Sequence, residues 1–136
     1  MVKMLTHKEL AQKAIEAKSK AHASYSNFHV GAALLTESGK IYQGANIENS
    51  SYSLTICAER TAVFQAILEG ERKFKSIAIA GDTEDYLSPC GACRQVLLDL
   101  CGKDLEVLMV NKIGDYKKLT LNELIPFSFS EEHLRK

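Results

Sequence analysis

Three cysteines and one glutamate carry the chemistry that this chain offers. Cys57-Ala58-Glu59-Arg60 and Pro89-Cys90-Gly91-Ala92-Cys93-Arg94 bring three thiols and an acid into two short clusters. Three protein ligands leave one tetrahedral position of a zinc ion open to water, whereas a structural zinc site closes with four. The pattern therefore outlines a catalytic zinc site. If a helix opens at Cys90, Cys93 shares its face three residues on, with Cβ atoms about 5–6 Å apart. Both sulfurs then reach one ion at roughly 2.3 Å per Zn–S bond, and Cys57 supplies the third. Glu59 lies two residues past Cys57, points elsewhere around its own helical turn, and is expected as a base acting on water rather than as a ligand.

Simpler readings compete with these. Cys101 would complete a four-cysteine structural site, but eight residues of continuous helix separate it from Cys93, a rise of roughly 12 Å. It reads instead as a buried helix residue, since free cysteine behaves as a small apolar side chain. Cys90-Gly91-Ala92-Cys93 alone would suit a redox pair; Cys57 and Glu59 turn the balance toward metal. His7, His22, His29 and His133 lack ligand spacing. Asn46 and Glu48 alternate along a strand end, so both side chains emerge on one face and offer a donor and acceptor to a hydroxyl; an ordinary turn-flanking pair is the alternative. Three thiolates on a divalent zinc leave a net negative centre. Arg60, three residues after Cys57, and Arg94, four after Cys90, are placed to donate to ligand sulfurs and offset it, with surface salt bridges as the alternative.

The elements that must position these groups follow from local signals. Thr6-His7-Lys8-Glu9 is a capping box, and Leu10, Ala14, Ala17 and Ala21 recur at helical spacing, which predicts a helix over about 7–22. Phe28, Val30, Ala32 and Leu34 alternate as a strand, and Glu37-Ser38-Gly39-Lys40 turns the chain into a second strand near Ile41 to Asn46. A helix over 57–69 stopped by Gly70, a strand from Ser76 to Gly81, a helix from about Cys90 to Gly102 and a strand from Leu105 to Val110 follow. A second capping box, Thr120-Leu121-Asn122-Glu123, precedes a short helix that must end at Pro126. The order αββαβαβ predicts an α/β fold, a three-layer α/β/α sandwich around a mixed, mostly parallel sheet. Both cysteine clusters fall at helix starts beyond strand ends, where the helix N-terminus favours thiolate over thiol.

Composition sets the outer limits. The 136 residues fit a single domain spanning 1–136, and 17 basic against 17 acidic residues leave no net charge to draw a nucleic-acid backbone. No apolar run suits a bilayer, and Met1-Val2-Lys3-Met4-Leu5 is too short for a signal peptide, so a cytoplasmic protein with reduced thiols is expected and neither membrane nor nucleic acid is a partner.

A ligand followed by xE, and then PCxxC, is the pattern of the zinc deaminases. Phe28-His29-Val30-Gly31-Ala32-Ala33-Leu34, Gly44-Ala45-Asn46-Ile47-Glu48-Asn49, Cys57-Ala58-Glu59-Arg60-Thr61-Ala62 and Ser88-Pro89-Cys90-Gly91-Ala92-Cys93-Arg94-Gln95 resemble, in order, the blocks of the cytidine deaminases. The resemblance runs from about Leu10 to Leu134. Cysteine at position 57, where dimeric relatives and nucleotide or RNA deaminases usually carry histidine, makes the chain similar to the short homotetrameric branch. The resemblance implies one zinc per chain and hydrolytic deamination of cytidine and 2′-deoxycytidine, with Glu59 passing protons from water to ring N3 and to the departing amine. It implies that Asn46 and Glu48, with Ile47 between them, hold the ribose 3′-hydroxyl, that Phe28 packs at base and sugar, and that the backbone around Ala58 and Ser88 meets the base edge; plain core is the alternative for Phe28. It also implies that Phe129, in the apolar tail Ile125-Pro126-Phe127-Ser128-Phe129, approaches a neighbouring subunit's pocket, although Phe127 stands where smaller residues are usual. A deaminase of a nucleoside-like antibiotic or of single-stranded RNA, and a non-enzymatic zinc module, are the competing functions.

Overall fold

A computed structural model describes residues 5–135; Met1 to Met4, on which the expectation about a leader rests, lie outside them. The capping box at Thr6 is made, its hydroxyl accepting from Glu9 N–H and the Glu9 carboxylate from Thr6 N–H, each at 3.1 Å. It opens helix α1, His7–Ala17. The helix stops short of residue 22, passing into one tight turn at Lys18–Lys20, because the chain beyond is drawn into pairing. His22 N–H donates to Asn46 carbonyl at 2.9 Å and Glu48 N–H to His22 carbonyl at 2.8 Å.

Strand β1 (Val30–Thr36) and strand β2 (Ile41–Ala45) form the expected hairpin. Helix α2 (Ala58–Leu68), strand β3 (Phe74–Gly81), helix α3 (Gly91–Cys101) and strand β4 (Glu106–Val110) follow, then strand β5 (Tyr116–Thr120) and the short helix α4 (Leu121–Leu124). The sheet order is β2-β1-β3-β4-β5. It is mixed as expected, but mostly parallel it is not: β3–β4 alone of the four neighbouring pairs is parallel. The reason is the hairpin. It inserts β1 between β2 and β3, so the crossover through α2 joins strands that run the same way without touching. The last antiparallel pair comes from β5, which the sequence reading does not include. Gly114 at φ 95° closes the turn that returns β5 onto β4, with Asn111 Oδ1 accepting from Asp115 N–H at 2.9 Å. Tyr116 to Lys118 are exposed, so the strand lacks an alternating apolar pattern.

The period of two along the strands divides the core into two faces. Ala33, Leu35, Ala78, Ala80, Leu108 and Val110 lie under Leu10, Ala11 and Ala14 of α1. Ala32, Leu34, Ile77, Ile79, Val107 and Met109 lie under Ala58, Ala62, Val63 and Ala66 of α2 and Leu97 of α3. The three-layer sandwich follows directly. Gly44 lets α2 settle on β2, since a Cβ there would collide with the helix backbone at Ala58 and Ala62. Among the described residues no helix is long and apolar enough to cross a membrane.

Candidate active site

Cys57 and Cys90 are the N-cap residues of α2 and α3, both with extended backbone, and Cys93 sits in the first turn of α3. The three Sγ atoms lie within 4.8 Å of one another, Cys90 to Cys93 at 3.4 Å and Cys57 to Cys90 at 3.9 Å. A tetrahedral zinc with 2.3 Å bonds spaces its sulfurs by about 3.8 Å, so the donor set fits that ion. Two helix N-termini converge on it and favour negative sulfur. The Cys57 thiol is drawn down to about 5, first by its hydrogen bond with Cys93 and then by Arg60 and Cys90. The same hydrogen bond, with burial, pushes Cys93 up. Thiolates this close repel, and a bound dication stabilises all three charges together.

Glu59 occupies the first turn of α2 and is 4% exposed. Burial pushes its carboxyl up to about 7, the negative Cys57 adds to the rise, and its own backbone N–H opposes it. Cys57, Glu59 and Cys90 line a cavity of about 210 Å³. Ala58, Asn46 and Ser88, all singled out from sequence, line it too, together with Val30, Thr55 and Leu87, which were not. Thr55 lies in a polar loop and Leu87 in an irregular one, so neither carries a sequence signal. Cys101 stands apart from the cluster, half-buried against the core, its thiol pushed up to about 12 by burial.

The remaining candidates divide. Arg60 Nη2 donates to Cys57 Sγ at 3.4 Å, as its spacing predicts. Arg94 departs from expectation. Its guanidinium donates to Pro89 carbonyl (Nε, 2.9 Å), Leu124 carbonyl (Nη1, 2.6 Å) and Ser88 Oγ (Nη2, 2.5 Å), so its bonds go to oxygens and not to sulfur. The end of α4 comes within its reach by tertiary packing, which helix spacing alone does not encode.

Asn46 spans the loop opposite, Oδ1 accepting from Val30 N–H at 2.9 Å and Nδ2 donating to Phe28 carbonyl at 2.8 Å. Glu48 accepts from the Tyr25 and Ser26 N–H groups at 3.0 Å each and from the Ser26 hydroxyl, and these bonds hold its carboxyl below the usual range. Both side chains thus shape the turn before β1. The Phe28 ring lies near Gly81, and Ile47 pairs by backbone with Ile56 while its side chain is half exposed. Phe129 is exposed and stacked on His133, with ring centroids 5.2 Å apart, and its carbonyl accepts from Gln95 Nε2 at 2.9 Å.

The family described as the cytidine and deoxycytidylate deaminase zinc-binding region matches residues 4–109. The chain is similar to the cytidine deaminase of Sporosarcina psychrophila, 51% identical over 119 residues that cover 88% of each. To that of Halalkalibacterium halodurans it is 49% identical over 125 residues, 92% of this chain and 95% of the relative. The crystal structure of cytidine deaminase from Burkholderia pseudomallei superposes with a TM-score of 0.89 at 47% identity, over 92% of this chain and all of that one. A buried carboxyl beside three clustered sulfurs at two helix starts thus sits where the matched region lies, and the chain belongs to the cytidine and deoxycytidylate deaminase family of zinc-dependent enzymes.

Proposed function

We propose that the chain hydrolyses the amine at C4 of cytidine and 2′-deoxycytidine, giving uridine or 2′-deoxyuridine and ammonia, a step of pyrimidine salvage. One observation carries the reading: Glu59, 4% exposed and pushed up to about 7, lines the same cavity as Cys57 and Cys90. Zinc held by Cys57, Cys90 and Cys93, one ion per chain, supplies a Lewis acid that makes water reactive near neutral pH. Glu59 removes one proton from the attacking water and delivers it to ring N3. It then carries the second to the amine on C4, which leaves as ammonia. A buried carboxyl beside the attacking water can both accept and return protons, and its burial by the protein favours the protonated form that returns them. Arg60 offsets the charge of the sulfur cluster through Cys57.

The backbone at Ala58 and Ser88 contacts the base edge, Asn46, Ile47 and Glu48 hold the sugar, and Phe28 packs beside it. The exposure of Phe127 and Phe129, with that of Tyr52, Leu54 and Leu68, supports a homotetramer in which Phe129 approaches a neighbour's pocket. One sheet and its two helical layers support a single catalytic domain over residues 1–136, and the enzyme is placed in the cytoplasm. Purified protein mixed with cytidine should form uridine and ammonia in equal amounts and contain one zinc per chain. No turnover by zinc-loaded protein would overturn the reading.

A further inference from the structure

The stretch that delivers Cys90 has little backbone support. Among the described residues, the N–H and carbonyl groups of residues 83–89 make one backbone hydrogen bond to the rest of the fold, Leu87 N–H to Val110 carbonyl at 3.4 Å. Pro89 has no N–H to give and is nonetheless buried. Its carbonyl is taken by Arg94 Nε at 2.9 Å, while Arg94 Nη2 grips Ser88 Oγ and Nη1 takes the Leu124 carbonyl, an acceptor left orphaned where α4 ends. One rigid, planar fork thus ties the loop before Cys90 to the first turn of α3 and to the C-terminal segment. Gln95, next in sequence, fastens the same segment again through Phe129 carbonyl.

We infer that Arg94 is a positioning residue, which sets the place of Cys90 by clamping the Ser88–Pro89 wall against the end of α4, and which aims the Ser88 hydroxyl. Arg94 donates to Ser88 Oγ, so the hydroxyl keeps its single proton for an acceptor in the cavity that Ser88 lines. A pyrimidine presents such acceptors on its ring edge; this second part rests on the function proposed above. Lysine cannot substitute, since an ammonium is a point donor that cannot span three fixed oxygens.

The test compares zinc-loaded and cobalt(II)-substituted protein for wild type, Arg94→Gln, Arg94→Lys, Ser88→Ala and Gln95→Ala. Arg94→Gln should lower zinc affinity about 10–100-fold, seen as faster release to a chromogenic chelator, and shift the visible cobalt–thiolate bands. Arg94→Lys should recover only part of that loss. Ser88→Ala should raise KM for cytidine about tenfold and speed zinc release far less than Arg94→Gln, since Pro89 and Leu124 still hold the fork, and Gln95→Ala should leave the cobalt bands in place. Zinc release within twofold of wild type and superimposable cobalt bands in Arg94→Gln would overturn the inference, whatever happens to its melting temperature. If Arg94→Gln fails to fold, Arg94→Lys decides by the same two readouts. Neither readout needs substrate, so a wild-type protein inert toward cytidine would refute the proposed function and leave the Arg94 result standing.

Discussion

Residues 47–57 reach Cys57 along a backbone pairing, with Ile47 and Ile56 exchanging both of their N–H···O bonds at 2.9 Å. Residues 82–90 reach Cys90 mainly on side chains, with Leu87 N–H to Val110 carbonyl at 3.4 Å as their backbone bond to the sheet. Asp82 accepts from His29 N–H at 2.8 Å and pairs with Lys18 at 3.1 Å where the stretch leaves β3, and Arg94 holds its far end. The strand from which the first arm leaves is clasped to the helix that it enters, the Thr61 hydroxyl donating to Ala45 carbonyl and accepting from Ala45 N–H, both at 3.0 Å. Backbone pairing tolerates changes of residue and of pH, whereas side-chain tethers depend on both. One zinc site is therefore assembled from a stiff half and a half that substitution and acid can loosen.

The largest expected effect leaves both arms in place. Glu59→Gln keeps the shape of the side chain but cannot shuttle protons, so turnover should fall by about 10²–10⁴ with zinc still at one per chain, measured by uridine formation alongside metal analysis. A loss of only a few fold would mean that the arms, and not Glu59, carry the rate. Next is Gly44→Ala, an attack on the strand from which the stiff arm leaves. Its Cβ meets the α2 backbone, so the helix carrying Glu59 must shift, at a cost of about 1–3 kcal/mol read as a lower melting temperature.

Amide hydrogen exchange compares the arms without mutation. The Ile47 and Ile56 amides should be protected at least about a hundredfold more than those of Glu84 and Tyr86, because only the former donate to a backbone carbonyl, in an isolated bridge. Equal protection would erase the distinction. The smallest effect is acid dependence at Asp82. His29 N–H, then the His29 ring and Lys18, hold this carboxyl at about 2 against an ordinary 3.8. Between those values the unfolded chain binds the extra proton, so the tether contributes fully above the ordinary value and is lost as pH falls through about 2. Asp82→Asn should flatten the acid limb of melting temperature against pH, while costing under about 1 kcal/mol at neutral pH because the pair is partly exposed.

Cys57, Glu59, Cys90 and Cys93 were legible because each lies within a turn of a helix start, where spacing fixes direction. Thr6 and Thr120 were legible for the same local reason, and both capping boxes form. Arg60 needed only its own helix to reach Cys57. Arg94 bonds to Ser88 and Pro89 nearby and to Leu124 thirty positions away, so spacing predicted reach toward a sulfur while the loop before Cys90 and the end of α4 supplied oxygens. Strand β5 escaped because an edge strand needs no apolar alternation, and the parallel bias failed because the hairpin sets β1 between the two strands that the α2 crossover joins, leaving β3–β4 as the parallel pair. The expectation for Asn46 and Glu48 rested on strand alternation, but β2 ends at Ala45, and the bonds of both side chains to the loop over residues 25–30 accompany a left-handed turn at Asn27 (φ 55°) that no pattern announces.

Strand β5 has a further consequence. An open sheet edge is a template on which a second sheet can grow, and the edge here carries Lys117 and Lys118 on its two faces, Lys118 reaching Glu106 at 3.5 Å. Laid edge to edge at a strand spacing of about 4.8 Å, two copies would set like charges against each other, and Lys117 is already engaged over the Tyr86 ring at 4.9 Å. Charged side chains at the rim of a five-stranded sheet therefore disfavour the addition of a sixth strand there.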